Sequence, residues 1–374
     1  SNVNARRAAL EAFSAVLHKD AYGSQAINEQ LKDAGFSQVD KRLCTSIVYR
    51  TLENLIAIDF ALSGFLKEPD ALDNKVRDIL RISVCQPLFM DKIPENAVAD
   101  EAVKLTRALG FEALTGVVNG VLRNLMRGRD QIKWPTEEEG AHYLSVRFSM
   151  PEWLVQRLID AYGMETAKNI VSYRTEDHFM TIRPNMMRLD DAAVEELLKK
   201  KGWEAGKGLV PHAWRVRGVS QVACDEDYLG GQFSIQGESS ILCAQIANVA
   251  PGAQVLDCCA APGGKTAYMA EAMNGTGRVY AWDLHEHRVT LIKAMVRRLR
   301  LDNIRPAVRD ATVLKEDLTG MIDTVLLDAP CTGLGVMDDK PDIKYRVTPE
   351  SIDELVATQR ALLETCCQYV KKGG

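Results

Sequence analysis

The stretch VLDCCAAPGGKTAYMA, residues 255–270, contains the residue types and spacing best suited to chemistry. An apolar run ends in an aspartate, and two glycines, a lysine and a threonine then lead into a helical pattern. A glycine loop between a strand and a helix lets backbone amides approach a nucleotide-like ligand closely. The stretch therefore predicts a ligand-binding loop.

Two phosphate-binding patterns are incomplete in this loop. Gly264-Lys265-Thr266 matches the tail of the G-x-x-x-x-G-K-[ST] loop, but the position of its first glycine is occupied by Cys259. The dinucleotide pattern G-x-G-x-x-G also fails, because Gly263 and Gly264 are adjacent and no third glycine follows at the required spacing. The loop favours close backbone approach without a pyrophosphate, and a nucleotide-hydrolysing enzyme stays the less favoured alternative.

The elements around this loop alternate between strand and helix from about residue 231 onwards. Four strand-like segments, AQVLDCCA, GRVYAWD, IRPAVRD and IDTVLLDAP, contain or end on an aspartate: Asp257, Asp283, Asp310 and Asp328. In a doubly wound parallel sheet, ligands bind outside the carboxyl ends of the strands. The sequence predicts four carboxylates at one crevice, although an aspartate at a strand end can also simply form a turn.

The positions of two of these aspartates suggest the ligand. Asp283 follows the glycine loop by about 20 residues, where an acid accepts hydrogen bonds from ribose hydroxyls. Asp310, after the third strand, can accept from the exocyclic amine of a purine. An acid-lined crevice suits a ligand with ribose, adenine, a sulfonium and an amine but no phosphate. S-adenosylmethionine is the predicted cofactor.

A second candidate for chemistry is LLDAPCTGLGVM, residues 326–337. Pro330 rigidifies the loop after the fourth strand, which places Cys331 near Asp328 and the predicted methyl donor. A thiolate there could add to C6 of a pyrimidine and make C5 nucleophilic. The alternative is a packing cysteine without chemistry.

The composition limits the class of protein. The chain has 374 residues and a formal charge of −5, contains no apolar run long enough for a membrane helix, and begins without a signal-peptide core. We expect a cytoplasmic protein that does not bind a membrane. Nine cysteines without a C-x-x-C pair predict neither a metal site nor a disulfide framework.

Four basic groups could contact phosphates or simply form solvated helix faces: Arg6-Arg7; Lys41, Arg42 and Arg50; Arg123, Arg127 and Arg129; Lys293, Arg297, Arg298 and Arg300.

The periodicity of apolar residues predicts three domains. Residues 1–130 show helical spacing almost throughout, residues 131–230 a linker and a small α+β domain, and residues 231–374 the α/β domain. Pro151 and Asp190 are predicted helix starts.

Five motifs, LDCCAAPGGKT, AWDLHEHRV, VRDAT, LLDAPCTGLGV and KPDIKY, resemble those of the bacterial RNA cytosine-C5 methyltransferase family. The resemblance covers nearly the whole chain and implies a Rossmann-like methyltransferase domain with a doubly wound, mainly parallel sheet. An all-α domain resembling the NusB RNA-binding domain and a small α+β domain would precede it. The implied substrate is 16S ribosomal RNA, and we expect a monomer.

The same resemblance implies the roles of individual residues. The methionine side of the donor would be lined by Cys259, Ala260, Ala261, Pro262, Gly263, Gly264 and Lys265. Asp283 would hold the ribose and Asp310 the adenine. Asp328 would lie beside both the donor and the target base.

One departure from the family concerns the nucleophile. The resemblance assigns attack on C6 to a second cysteine, in a Thr-Cys motif after a helix ending in Lys-x-Gly-Gly, and product release to Cys331. The sequence ends with YVKKGG at Gly374, where that strand would begin, and we expect the chain to be cut short. The position of Cys331 in the sequence, taken without the resemblance, would also allow it to be the group that attacks C6. A non-catalytic RNA-binding or ribosome assembly factor is the main alternative function.

Overall fold

The computed structural model describes residues 4–32, 35–91 and 93–374. Its chain forms two compact units. The first, called here the helical unit, comprises Ser1–Arg174 and Gly333–Thr348, and the second, called the α/β unit, comprises Thr175–Thr332 and Pro349–Gly374. None of the helices in the described residues is long and apolar enough to cross a membrane.

The helical unit confirms the helical spacing predicted for the N-terminal part of the chain. Its helices are α1 (Ala5–His18), α2 (Gly23–Leu31), α3 (Gln38–Glu53), α4 (Leu55–Ser63), α5 (Asn74–Phe89), α6 (Glu95–Ala108), α7 (Thr115–Gly128), α8 (Ala141–Phe148), α9 (Glu152–Tyr162) and α10 (Met164–Ser172). Apolar side chains three or four positions apart face one core, in which Phe13, Ile47, Leu52, Ile79 and Leu122 are almost fully buried.

The segment Gly333–Thr348 is part of the helical unit, although its sequence was assigned to the domain at 231–374. Tyr345 donates its hydroxyl hydrogen to the carbonyl oxygen of Leu52, and Lys344 Nζ donates to the carbonyl oxygen of Glu53 at 3.1 Å. The division also differs from the predicted boundaries in placing α8, α9 and α10 with the helices that precede them. The hydrogen bonds of Lys344 and Tyr345 join residues about 290 positions apart in the sequence, and the periodicity of apolar residues gives no signal for such contacts.

The α/β unit begins with an antiparallel sheet in the order β2-β3-β1-β4. Its elements are β1 (Met180–Pro184), α11 (Asp191–Lys201), β2 (Glu204–Lys207), β3 (Trp214–Arg217), α12 (Glu226–Leu229) and β4 (Phe233–Ile235). Asp190 caps α11 by accepting from the Ala193 amide at 2.8 Å, as predicted. The sequence did not reveal β2, which carries little apolar character, or β4, which has only three residues.

The second sheet is parallel, in the order β7-β6-β5-β8. Its elements are α13 (Glu238–Ile246), β5 (Gln254–Asp257), α14 (Gly264–Ala272), β6 (Arg278–Asp283), α15 (Glu286–Leu299), β7 (Ile304–Val308), β8 (Thr324–Leu326) and α16 (Pro349–Cys366). The four predicted strands are all present, and the predicted class, an α/β domain preceded by all-α and α+β parts, is confirmed. Because the strands are parallel, their carboxyl ends meet at one edge of the sheet.

A fully buried ion pair joins the antiparallel sheet to helix α14. Arg183 on β1 donates two hydrogen bonds of 2.8 Å to the carboxylate of Glu271 on α14. Arg183 Nε also donates to Gln236 Oε1 at 2.7 Å. Since a buried charge left without its partner is costly, this pair fixes how the antiparallel sheet meets the helix that follows the glycine loop.

Candidate functional site

The glycine loop between β5 and α14 has one position that only glycine tolerates. Gly263 has a φ of +114°, and a Cβ atom there would lie 2.6 Å from Met295 Cε. The Ala260 amide donates to the carbonyl oxygen of Trp282 at 2.7 Å, which ties the loop to β6. The loop is therefore held close to the sheet edge before any ligand arrives.

Two cavities adjoin this loop and share Cys259, Ala261 and Asp328. The larger, of about 450 Å³, is lined by Cys259, Ala261, Asp283, Leu284, His285, Arg288, Asp328, Ala329, Pro330 and Cys331. The smaller, of about 250 Å³, is lined by Ile235, Gln236, Gly237, Ser240, Asp257, Cys259, Ala260, Ala261, Pro262, Gly264, Lys265 and Asp328. The predicted site residues other than Gly263 and Asp310 thus line one continuous region. Gly263 lies against Met295 instead.

Asp283 is buried at the end of β6 and is already engaged. Its Oδ2 accepts from the Ala261 amide at 3.2 Å, and its Oδ1 accepts from Arg288 Nε at 3.1 Å. Arg288 also donates to the carbonyl oxygen of Ala261 at 3.0 Å. Sequence reasoning missed Arg288. Its only signal is an arginine in the first turn of a helix, where the helix dipole favours acidic residues.

Asp257 carries an unsatisfied carboxylate oxygen in the smaller cavity. Its Oδ2 accepts from Thr266 Oγ1 at 2.7 Å, whereas Oδ1 has no hydrogen-bond partner among the described residues. Burial, with a smaller contribution from the Asp328 charge, raises the pKa of Asp257 to about 7, against the lowering effects of Thr266, Lys265 and the Cys259 backbone amide. A buried, unmatched oxygen indicates a place for a donor or cation from a ligand.

Lys265 and Asp328 form an ion pair across the site. Lys265 Nζ lies 2.7 Å from Asp328 Oδ2, and the Asp328 side chain is 53% exposed. The pair connects the first turn of α14 to the loop after β8. The lysine of the incomplete phosphate loop therefore faces a carboxylate, which suits a nucleobase better than a phosphate.

The two cysteines of the site differ in accessibility. Burial raises the pKa of Cys259 to about 12, so this thiol stays protonated at neutral pH. Cys331 is exposed and lines the larger cavity. The carbonyl oxygen of Pro330 accepts from Gln359 Nε2 at 2.8 Å, which anchors the Cys331 loop to α16. Cys331 is therefore the accessible thiol of the two.

Asp310 stands apart from the other three aspartates. It is exposed, and its Oδ1 accepts from the amide and hydroxyl of Thr312 at 2.9 and 2.6 Å within its own turn. These bonds hold the pKa of Asp310 below its usual value. It lines neither cavity, so the structure brings together only Asp257, Asp283 and Asp328.

Gln236 and Ser240 were not predicted as site residues, yet both line the smaller cavity. Gln236 Nε2 donates to Ser240 Oγ at 3.0 Å, and its Oε1 accepts from the buried Arg183. No sequence signal marks Gln236, because its position depends on an arginine 53 positions away.

Three members of the basic groups have nearby partners within their own units. In the helical unit, Arg123 lies 3.7 Å from Asp100, and Arg129 pairs with Glu95 at 2.5 Å. In the α/β unit, Arg298 donates to the carbonyl oxygens of Tyr228 and Phe233, both at 2.9 Å, which is a structural role. No group of three or more metal-ligating side chains occurs among the residues that the structure describes.

Comparison with known families matches three consecutive parts of the chain. Residues 3–127 match the NusB family, and residues 150–223 match the ferredoxin-like domain of RsmF/B-like methyltransferases. Residues 244–374 match the 16S rRNA methyltransferase RsmB/F family. This range includes Cys331 and the glycine loop that adjoins both cavities.

Similar proteins align over nearly the whole chain. One is "Probable ribosomal RNA small subunit methyltransferase B" of Bacillus subtilis, 36% identical over 99% of this chain and 83% of the relative. Another is "Ribosomal RNA small subunit methyltransferase B" of Shewanella oneidensis, 30% identical over 100% of this chain and 85% of the relative. The crystal structure of PH0851 is 28% identical, with a TM-score of 0.80 over 99% of this chain and 84% of that chain.

Proposed function

Since the chain belongs to the 16S rRNA methyltransferase RsmB/F family, we propose that it transfers a methyl group from S-adenosylmethionine to C5 of a cytosine in 16S ribosomal RNA. The transfer would proceed through a covalent adduct between a cysteine and C6 of the base. The observation that carries the proposal is the acid-lined double cavity, with an accessible thiol at one end and an ion-paired lysine between its two parts.

The residues present fit the donor. Asp283 and Arg288 offer an acceptor and a donor for ribose hydroxyls. The resemblance assigns the adenine amine to Asp310, which lines neither cavity. The loop Cys259–Lys265 approaches with its backbone, and the unmatched Oδ1 of Asp257 suits the positive charge of the methionine part. Nothing in this set calls for a phosphate.

The chemistry divides among the chain's own groups. Lys265 and Asp328 present a donor and an acceptor to a cytosine, which must leave its stack to enter the site. The donor supplies an electrophilic methyl group. A thiolate would add to C6, C5 would take the methyl group with adenosylhomocysteine as the leaving group, and transfer of the C5 proton to a base would break the C6–S bond and release the thiolate. The resemblance gives the attack to a Thr-Cys cysteine and the release step to Cys331.

Donor binding and methyl transfer test the proposal separately. Calorimetry should detect S-adenosylmethionine binding and none of ATP with magnesium; the reverse would favour a nucleotide-hydrolysing enzyme. Labelled methyl should then appear at C5 of cytosine in 16S RNA treated with a chain that carries the family's Thr-Cys motif. Donor binding without transfer by that protein would favour an RNA-binding or assembly factor.

Substitution of Cys331 separates its two possible roles. In a chain that carries the family's Thr-Cys motif, Cys331→Ala should still transfer methyl but stall as a covalent protein–RNA adduct on a denaturing gel. Cys259→Ala is the matched control, because its protonated thiol should form no adduct. Loss of both adduct and methylation in the Cys331 variant would assign the attack to Cys331.

A further inference from the structure

The helical unit contains a cavity of about 440 Å³ that is separate from the donor site. Its walls are the end of α10, with Ile170, and residues of the Gly333–Thr348 segment, including Leu334 and Met337. Tyr173 stands at its edge and is 63% exposed. The volume falls within the roughly 300–1,000 Å³ range of small-ligand sites and leaves room for one nucleotide.

Two cations line this mainly apolar cavity, whose lining also includes the acidic Glu53 and Asp338. Lys344 is only 4% exposed, and its Nζ donates to the carbonyl oxygen of Glu53 at 3.1 Å. Arg174 lines the cavity too, and burial together with the Arg174 charge lowers the pKa of Lys344 to about 7. The carboxylate of Glu53 is engaged by Arg50 at 3.3 Å. An anionic group in the cavity would relieve the repulsion between Lys344 and Arg174.

The cavity is preformed by contacts within the helical unit. The hydroxyl of Tyr345 donates to the carbonyl oxygens of Leu52 and Ser149, the latter at 3.3 Å. Asp342 accepts from the Gly23 amide at 3.4 Å. The Gly333–Thr348 segment is therefore held by three separate parts of the helical unit. Along the chain it begins two residues after Cys331.

We propose that this cavity binds one unstacked nucleotide of the RNA substrate, with the base against Tyr173 and the apolar wall and the phosphate against Lys344 and Arg174. A nucleotide combines a flat aromatic face with an adjacent anion, which is the combination that the cavity offers. The proposal rests on the proposed function only in taking RNA as the substrate.

The test measures binding of a ten-nucleotide single-stranded RNA to the whole chain by fluorescence anisotropy. Tyr173→Ala should weaken binding about tenfold, because stacking of a base on an aromatic ring is lost. Tyr162→Ala is the matched control, since Tyr162 is 61% exposed in the same unit but lies outside the cavity. Equal affinities of the two variants would overturn the proposal.

An abasic scan of the same oligonucleotide gives an independent readout. One abasic position should weaken binding to the wild type about tenfold and leave binding to the Tyr173→Ala variant unchanged. Lys344→Met should lower the slope of log affinity against log salt by about 0.7. An abasic effect of equal size in both proteins at every position would overturn the proposal.

Failure of this proposal can be distinguished from failure of the proposed function. Adenosylhomocysteine binding, measured by calorimetry, reports on the α/β unit and should be the same in wild type and Tyr173→Ala. A wild type that binds RNA as described but not adenosylhomocysteine would support the cavity and refute the methyl donor. A wild type that binds adenosylhomocysteine but shows no Tyr173 effect on RNA would do the opposite.

Discussion

Asp78 in the helical unit and Asp257 in the α/β unit are both buried aspartates, but their surroundings differ. Asp78 Oδ2 accepts from Ser14 Oγ at 2.6 Å and contacts His18 Nε2 at 2.9 Å, and its Oδ1 accepts from Arg81 at 3.0 Å. Asp257 has a single side-chain donor, Thr266, and a bare Oδ1.

The difference separates a carboxylate whose partners all come from the protein from one that keeps an oxygen without a partner. A buried charge that contacts neither water nor a ligand needs partners from the protein itself, and Asp78 has such partners. At Asp257 the pKa is raised to about 7, Oδ1 has no hydrogen-bond partner among the described residues, and the residue lines the smaller cavity. An unmatched buried group at a strand end is therefore a stronger sign of a ligand site than the aspartate alone.

The largest expected effect concerns Asp78. Asp78→Ala should lower the free energy of unfolding by about 3–5 kcal/mol, because Ser14, His18 and Arg81 all lose the same buried acceptor, while Arg81 keeps its pair with Asp59. Asp70→Ala is the matched control, since Asp70 is 94% exposed and pairs with Arg77 at 3.0 Å. It should change stability by less than about 1 kcal/mol. Denaturant titration measures both, and equal losses would contradict the contrast.

The pH dependence of stability should differ in sign between the two units. Asp257 has a raised pKa in the folded state, so its contribution is present below about pH 4 and is lost as pH rises to about 7. Lys344 has a lowered pKa, so its contribution is present near pH 10.5 and is lost as pH falls to about 7.

Two neutral variants check these signs. Asp257→Asn should remove the fall of stability between pH 4 and 7, and Lys344→Met should remove the rise between pH 7 and 10. Each effect should be on the order of 2–4 kcal/mol across its window. Urea unfolding of wild type and variants at several pH values gives the difference. If the free energy of unfolding changes with pH in the same way in the wild type and in a variant, the substituted side chain is not buried from solvent as the structure indicates.

Donor binding should discriminate between Asp283 and Asp310. Asp283→Ala should weaken S-adenosylmethionine binding by about 1–3 kcal/mol, because ribose hydroxyls and Arg288 lose a buried acceptor. Asp310→Ala should fall at the lower end of that range, since Asp310 is exposed and bonded within its turn. Calorimetry with both variants decides. Wild-type affinity in both, with the fold intact, would show that the donor binds elsewhere.

The smallest effect is expected from the arginine group of the helical unit. Reversing the charges of Arg123, Arg127 and Arg129 should weaken RNA binding modestly, because acidic neighbours already offset Arg123 and Arg129. The slope of log affinity against log salt should fall by less than about 1.4, below the roughly 2.1 expected for three full phosphate contacts on single-stranded RNA. A drop near 2.1 would show that all three arginines contact phosphates and that Arg123 and Arg129 leave their acidic neighbours.

Much of the α/β unit could be predicted from the sequence. Its strands are short apolar runs ending near an aspartate, and the alternation with helices predicts a parallel sheet, so the meeting of Asp257, Asp283 and Asp328 follows. The small strand Phe233–Ile235 was not predictable, because three residues carry no periodicity. Nor was Arg288, whose role depends on the position of its partner Asp283 across the loop.

The amino-acid sequence by itself determined the helical character of the N-terminal part, the order of the strands along the chain and the glycine loop, because these depend on local spacing and on backbone freedom at single residues. Only the tertiary structure decided which carboxylates find partners. It leaves Asp257 Oδ1 bare and places Lys344 against Glu53, 291 positions away. Burial and the matching of charges are properties of three-dimensional neighbours, so residues with the same side chain, such as Asp78 and Asp257, acquire different chemistry.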